Sequence, residues 1–410
     1  RPFFGWRVVA AAFVLAAFGW GVGFYGPPIY LHAVVERTGW PVALVSGAVT
    51  AHFLVGVPVV ANMPRLYRRF GIPLVTGVGA VLLAAGVVGW AIAREPWQLF
   101  AAAGFSGVGW VTLGAAAVNA LVAQWFVRAR PAALAMAYNG ASIGGVVFSP
   151  LWVALIAALG FAGGASVIGL VMVAVIGALS HMVFSRTPES MGQVADGDAP
   201  GASAANVTSP RAHPLPGSAL WTDGPFRTLA AGMALSLFAQ IGLIAHLYSL
   251  LVPAIGKGGA GAAMGFATVC AIAGRTIVGW TMPAGADRRH VAAMNLAVQV
   301  AGSVALLASG GTSVPLLLAG VALFGAGIGN VTSLPPLIAQ VEFVKEDAAR
   351  VVPLIVAIGQ ATYAFAPAAL GLLRSLETGV ALLDHAGAPL YLAAAIVQLA
   401  ACACFLASRR

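Results

Sequence analysis

Long apolar runs separated by short polar segments occupy almost the whole chain. They lie near residues 7–32, 42–62, 73–93, 97–126, 131–159, 163–184, 226–254, 259–282, 290–309, 314–341, 351–374 and 386–407. Most contain about 20 residues or more, the length that an α-helix needs to cross the hydrocarbon core of a bilayer. The runs are continuous in Ala, Leu, Val and Gly and do not alternate, so they predict helices and not barrel strands. The predicted fold class is an all-α polytopic membrane protein with twelve transmembrane helices.

The high hydrophobic content of the chain also indicates that these runs lie in the lipid bilayer. Hydrophobic residues make up 60% of the chain and charged residues only 8%, whereas a soluble domain has about 25% charged residues. The three cysteines, Cys270, Cys402 and Cys404, all fall inside apolar runs, where they are expected to act as small hydrophobic residues. The sequence predicts no metal site, no cofactor and no enzymatic activity.

The loop charges give the runs a direction. If both termini are cytoplasmic, sixteen of the 21 Lys and Arg residues lie on the cytoplasmic side. Four lie outside (Arg37, Arg94, Lys257 and Arg374), and the remaining one, Arg275, lies within an apolar run. This bias follows the positive-inside rule. The net charge of +9 is therefore explained by topology, and nucleic-acid binding is not predicted.

One long polar segment divides the chain into halves. We predict an N-terminal six-helix bundle over residues 1–186, a cytoplasmic linker over 187–225 and a C-terminal six-helix bundle over 226–410. The linker is rich in Ser, Ala and Pro, a composition typical of partial disorder. Two such halves with a binding site between them near the membrane midplane form a familiar transporter architecture.

A short basic turn recurs after the second and the eighth run and favours an internal duplication. We expect these turns to act as gating loops; their residues are Arg65, Arg68 and Arg69 in the first half, and Asp287, Arg288 and Arg289 in the second.

Several motifs resemble those of the major facilitator superfamily. Gly274-Arg275, Gly279 and Asp287-Arg288-Arg289 are similar to its loop motif. Other segments resemble the monocarboxylate-transporter-like and oxalate/formate-exchanger-like branches: Gly5-Trp6-Arg7, Thr38-Gly39-Trp40-Pro41, Trp125-Phe126 and Arg186-Thr187-Pro188-Glu189. The resemblance implies two pseudo-symmetric six-helix bundles. One departure is Arg68, which stands where the family usually places an Asp in the first-half loop.

Arg275 is the strongest candidate for substrate binding. An Arg deep in a membrane helix costs at least about 2.5–3.5 kcal/mol and normally faces a cavity or a counter-charge. The sequence places no acidic residue deep in an apolar run, so the expected counter-charge is the substrate, held by paired guanidinium donors that match a carboxylate. The alternative is an Arg that snorkels to the cytoplasmic surface. In the monocarboxylate branch that this chain resembles, an Arg on the eighth helix, followed by a Gly four residues later, binds the carboxylate.

Two histidines are candidates for proton coupling, because imidazole changes charge near neutral pH. His246 in the seventh run lies in a segment, His246-Leu247-Tyr248-Ser249, that resembles a pocket-lining stretch of bacterial monocarboxylate-like transporters. A His satisfied by a neighbouring helix is the alternative. His52 in the second run is the weaker candidate, and Arg275 is a third coupling group. Asn119, Gln360 and Tyr363 are predicted to complete the substrate pocket, whereas interhelical hydrogen bonding is the favoured role for Asn139 and Asn330.

Glycine-rich stretches explain close helix packing better than nucleotide binding. Gly104 to Gly114, Gly140 to Gly145 and Gly325 to Gly329 do not follow strands or end in the Lys-Ser/Thr of a phosphate loop. Small residues let helix backbones approach each other in a membrane.

The sequence thus predicts a secondary active transporter of a small organic anion, a monocarboxylate in particular, coupled to protons by symport and working by alternating access. Three alternatives stay open: an anion exchanger, proton-driven efflux of a drug-like or aromatic compound, and a membrane receptor that does not transport. The expected location is a bacterial inner membrane with both termini in the cytoplasm. The partners are the anion, protons and the lipid bilayer; the oligomeric state is not predicted.

Overall fold

The computed structural model of the chain describes residues 3–126, 129–197, 217–282, 286–374, 385 and 387–407. The chain divides into two compact units, Arg1–Ala205 and Asn206–Arg410, each treated below by itself. In the described ranges both units are built from helices. The middle of the predicted linker, 198–216, lies outside the described residues.

Unit 1 contains seven α-helical segments in its described ranges. They are α1 (Gly5–Gly23), α2 (Pro27–Thr38), α3 (Val42–Phe70), α4 (Ile72–Ile92), α5 (Pro96–Leu113), α6 (Ala115–Trp125) and α7 (Arg130–Leu179). Pairs α1/α2 and α5/α6 each make one membrane-length segment, Gly5–Thr38 and Pro96–Trp125. The helical run of α7 is interrupted at Gly160, whose φ of 72° lies in the left-handed region that glycine adopts without a steric cost.

Unit 2 repeats this design. Its helices are α8 (Gly224–Thr281), α9 (Arg288–Ala308), α10 (Val314–Glu342), α11 (Lys345–Tyr363), α12 (Ala366–Leu373) and α13 (Ala388–Ala407). The run of α8 is interrupted at Gly256, with a φ of 70°. Ten helical segments are long and apolar enough to cross a membrane in the described part of the chain. Two of them, α7 and α8, are each divided by their glycine, so twelve spans result and the predicted number is confirmed.

Glycines bring the helix backbones into direct contact, which confirms the packing role predicted for the Gly-rich stretches. A methyl group on Gly140 of α7 would overlap the carbonyl oxygen of Phe13 on α1, and one on Gly107 of α5 would overlap that of His52 on α3. In unit 2, Gly274 of α8 stands in the same way against Ala326 of α10. Such contacts gain van der Waals energy that lipid does not offer to separated helices.

Four acidic residues lie at the ends of helices in the described ranges. Glu36 lies in the last turn of α2, and Glu346 and Asp347 lie in the first turn of α11. Glu342 is the last residue of α10. All four occupy helix ends, where a carboxylate reaches water or a basic partner.

Part of the predicted linker is folded onto unit 1. Short helical turns cover Glu189–Met191 and Ala195–Gly197. The side chain of Gln193 accepts a hydrogen bond from the backbone N–H of Phe4 (2.9 Å), and Asp196 accepts one from that of Ala129 (3.1 Å). The start of the linker therefore closes over the beginning of α1 and the start of α7.

Candidate functional site

Arg275 is held against the bare backbone of a neighbouring helix. It lies six residues before the end of α8 at Thr281, which is about 9 Å along the helix axis. The side chain is half-buried, and its Nε is shielded from solvent. A Cβ placed on Gly329 of α10 would stand 2.8 Å from the Nε and 3.0 Å from the Nη2 of Arg275. The missing side chain at Gly329 thus creates the seat for the guanidinium.

Small residues on both helices produce this contact. Gly325 of α10, one turn before Gly329, faces the backbone of Ala267 on α8. On the other helix, Gly274 of α8 faces the backbone of Ala326 on α10. Because Arg275 follows Gly274 directly, the closest approach of the two helices carries it onto α10. Asn330, next to Gly329, donates a hydrogen bond to Asn295 of α9 (2.9 Å), which is the interhelical role favoured for it from the sequence.

His246 is fully buried and hydrogen-bonded at both ring nitrogens. Its Nε2 lies 2.9 Å from the carbonyl oxygen of Pro367, so Nε2 carries the proton and donates it. Its Nδ1 lies 3.3 Å from Nη1 of Arg374 and must accept. The arrangement suits a neutral imidazole, because a proton on Nδ1 would point at the guanidinium.

Arg374 is a basic residue whose place the sequence did not reveal. It was expected in an outer loop, yet its Nη1 also donates to the hydroxyl of Ser249 (2.7 Å), and that hydroxyl donates to the carbonyl of His246 (2.9 Å). The side chain thus joins the end of α12 to α8. The only sequence signal was an Arg at the end of an apolar run, which is also typical of the start of a solvated loop.

His52 occupies a different kind of network in unit 1. Its Nε2 lies 2.9 Å from the carbonyl of Gly23 and its Nδ1 lies 2.8 Å from the hydroxyl of Ser106. That hydroxyl accepts from Trp90 Nε1 (3.1 Å) and lies 3.1 Å from the carbonyl of Ala103. If Nδ1 took up a proton, Ser106 could turn its hydroxyl hydrogen to Ala103 and accept from the imidazolium. His52 therefore has acceptors for both protonation states, whereas His246 does not.

The other predicted pocket residues fall into separate groups. In unit 1, Asn119 donates to the hydroxyl of Tyr138 (2.6 Å), whose ring lies 6.0 Å from that of Trp20. In unit 2, Gln360 and Tyr363 occupy the last turn of α11, and Tyr363 packs against the hydrophobic core of the unit. The described contacts assign Asn119 and His52 to one unit, and Arg275, His246 and the α11 pair to the other.

The second-half gating loop is bound tightly within unit 2. Arg289, only 4% exposed, forms two parallel hydrogen bonds with Glu342, from Nε to Oε1 (2.5 Å) and from Nη2 to Oε2 (2.8 Å). It also donates to Thr228 and to the carbonyl of Pro225. One side chain therefore ties the beginnings of α8 and α9 to the end of α10.

The neighbours of Arg289 have local roles. Asp287 accepts from the backbone N–H groups of Arg289 and His290 and so caps α9. Partial burial acts to raise the pKa of Asp287, but hydrogen bonds from the His290 ring and from these N–H groups outweigh burial and leave the pKa below its usual value. Arg288 donates to the carbonyl of Leu337 (2.7 Å).

The gating loop predicted in the first half is not a loop, because Arg65, Arg68 and Arg69 lie in the last two turns of α3, which ends at Phe70. Arg65 donates to the amide oxygen of Asn62 (2.8 Å), and the guanidinium of Arg69 lies 5.3 Å from the ring centroid of Phe70. Arg65, Arg68 and Arg69 are all exposed. The two segments expected to be equivalent therefore differ. The second-half segment is hydrogen-bonded within unit 2, whereas the arginines of the first-half segment are exposed on the surface of unit 1.

Comparison with known proteins gives one family. The profile of the Major Facilitator Superfamily matches residues 9–367. No curated protein matches the chain.

Solved structures of transporters share the fold at low sequence identity. The nucleoside transporter NupG has a TM-score of 0.72 at 10% identity and covers 99% of this chain and 100% of its own. A bacterial homologue of the human lysosomal transporter Spinster, in an inward-facing and occupied conformation, has a TM-score of 0.67 at 13% identity, covering 99% and 97%. Its unoccupied form has a TM-score of 0.69 at 15% identity, covering 100% and 98%.

Proposed function

Because the chain belongs to the Major Facilitator Superfamily, and is therefore an integral membrane transporter and not an enzyme, we propose that its substrates are small organic anions, monocarboxylates in particular. Transport is secondary and proceeds by alternating access. Within the superfamily, we place the chain in the monocarboxylate-transporter-like branch, which its sequence motifs resemble.

The seat of Arg275 on Gly329 is the observation that carries the proposal. A guanidinium fixed against helix backbone at one edge presents its remaining N–H groups in a set direction, and paired N–H groups match the two oxygens of a carboxylate. The side chain lies inside a spanning helix, where a positive charge acts more strongly on a small anion than it does in bulk water. In the described ranges the acidic residues lie at helix ends or in loops.

Substitution of Gly329 tests the seat directly. Gly329→Ala places a methyl group 2.8 Å from Nε of Arg275 and 2.9 Å from the backbone oxygen of Ala271, and it should push the guanidinium out of position at an overpacking cost of about 1–3 kcal/mol. We expect roughly a tenfold loss in the affinity for the transported acid, measured as the half-saturating concentration for uptake into proteoliposomes. Gly325→Ala is the matched control, since a Cβ there, one turn before Gly329 on α10, meets the backbone of Ala267 on α8 and not Arg275. Equal effects of the two variants would contradict the seat.

Proton symport is the proposed driving mechanism, with anion exchange as its alternative. The geometry favours His52 over His246 as the residue that takes up a proton, because Ser106 offers His52 an acceptor whereas Arg374 opposes protonation of His246. Acid outside the vesicle should accelerate uptake of lactate by the wild type. His52→Gln should lose this stimulation and keep exchange of labelled for unlabelled acid. If uptake does not change with the pH gradient but requires an anion inside the vesicle, the protein is an exchanger.

Export of an aromatic compound is a second candidate. It is favoured by the aromatic groups around Asn119 in unit 1, where Trp20 lies 5.0 Å from Trp110 and 6.0 Å from Tyr138 between ring centroids. Proteoliposomes containing the purified chain separate the candidates when they are offered labelled lactate, pyruvate, an aromatic cation and a nucleoside. Saturable uptake of the two acids supports the proposal. Transport of the aromatic cation alone supports export, and no transport of any compound supports a receptor.

A further inference from the structure

One end of unit 1 carries a cluster of exposed arginines. The cluster, called the basic end below, contains Arg7 at the start of α1, Arg65, Arg68 and Arg69 at the end of α3, and Arg186 after α7. The one exposed carboxylate beside it in the described residues is Glu189. Hydrogen bonds from its own backbone N–H and from Thr187 lower the pKa of Glu189.

Packing contacts place these segments at the same end. The ring of Trp6 lies 4.9 Å from that of Phe126, which follows α6. At the start of α4, the hydroxyl of Thr76 lies 3.0 Å from that of Ser180, where α7 ends. Because Gly71 alone separates α3 from α4, the arginines of α3 lie at this end too.

The arginines at the end of α3 make different contacts from the corresponding arginines of unit 2. In unit 2, Arg289 is buried on Glu342, Arg288 bonds a backbone carbonyl, and Asp287 supplies a negative charge. In the described part of unit 1, no ion pair joins Arg65, Arg68 or Arg69 to a carboxylate; Arg65 bonds an amide and Arg69 lies on an aromatic ring. Arg68 is exposed beside them and adds one more positive charge.

Large apolar side chains lie among these charges. Trp6 is 45% and Phe70 48% exposed, and aromatic residues beside arginines are typical of the level of the lipid headgroups. Clustered arginines next to a spanning helix attract anionic lipids, and guanidinium groups bind phosphate oxygens in pairs. We infer that the basic end binds the headgroups of anionic phospholipids, with Arg68 and Arg69 at its centre.

Lipid binding by the full-length chain tests this inference. Native mass spectrometry of the detergent-purified protein would measure its affinities for phosphatidylglycerol and phosphatidylcholine. We expect the wild type to prefer phosphatidylglycerol by tenfold or more, since each arginine near an anionic surface contributes a factor of about five. Arg68→Gln/Arg69→Gln should remove most of this preference, and Arg68→Lys/Arg69→Lys should keep most of it.

The matched control carries the same loss of charge at exposed positions outside the basic end. Arg94→Gln/Lys257→Gln should keep the wild-type preference, because neither residue belongs to the basic end. Equal affinities of the wild type for the two lipids would overturn the inference, as would equal losses in the two Gln double variants. The apparent unfolding temperature of each variant separates loss of binding from loss of fold. This test does not depend on which solute the protein transports.

Discussion

Replacement of Arg275 by Gln should abolish uptake of small carboxylates while the protein remains folded. The two hydrogen bonds of a bidentate pair involve charged groups and contribute about 1.5–3 kcal/mol each, so the transport efficiency should fall by at least about a hundredfold. Arg275→Lys should recover only a small part, because an ammonium group keeps the charge and loses the paired geometry. Uptake of a labelled acid into proteoliposomes at matched protein density measures both effects.

Arg94→Gln provides the control for this experiment. It removes one positive charge from an exposed loop position and should leave uptake unchanged. If Arg275→Gln and Arg94→Gln transport equally well, Arg275 acts only at the membrane surface and the carboxylate clamp is wrong.

Replacement of Arg289 by Ala should cause the largest loss of stability among the charged residues described. Removal of one partner from a buried ion pair costs about 3–5 kcal/mol. The lower end of this range applies here because Glu342 keeps 28% of its side chain exposed. For a unit of this size the apparent unfolding temperature should fall by roughly 5–10 °C. Thermal unfolding in detergent, followed by intrinsic fluorescence, measures the shift.

Arg288→Ala separates the ion pair from the general effect of losing a loop arginine. Arg288 makes one hydrogen bond to a backbone carbonyl, worth about 1.5–3 kcal/mol at most and less at a partly exposed site. Its unfolding temperature should therefore stay well above that of Arg289→Ala. Similar shifts for both variants would show that the contacts of Arg289 with α8 and α10 contribute little.

Much of the fold was predictable because a membrane restricts what an apolar run can be. The run predicted over 314–341 is α10, Val314–Glu342, and that over 42–62 begins where α3 does, at Val42. The predicted breaks near 160 and 256 are confirmed, but each is a single glycine and not a loop of several residues. The length of an apolar run is set by the thickness of the bilayer that it must span. The form of each break, in contrast, depends on the backbone conformation of a single glycine.

The candidate site was less accessible to sequence reasoning. Arg275 could be identified because it is a charged residue within an apolar run, which the sequence alone shows. Its seat depends on Gly329, 54 positions away, and on the register between α8 and α10. Arg374 was missed for the same reason: only the fold shows that it turns back onto His246 and Ser249. Arg289 was predicted as a gating residue, and its contacts described here lie within unit 2.

Recognition of a carboxylate by Arg275 is tested most directly by comparing an acid with its neutral amide. Lactate and lactamide have nearly the same shape and differ in charge, and a ligand that binds the folded state raises the unfolding temperature by mass action. We predict that lactate or a related monocarboxylate stabilises the wild type, that the amide does not, and that Arg275→Gln responds to neither. Equal stabilisation by acid and amide, or an undiminished response of Arg275→Gln to the acid, would contradict this account.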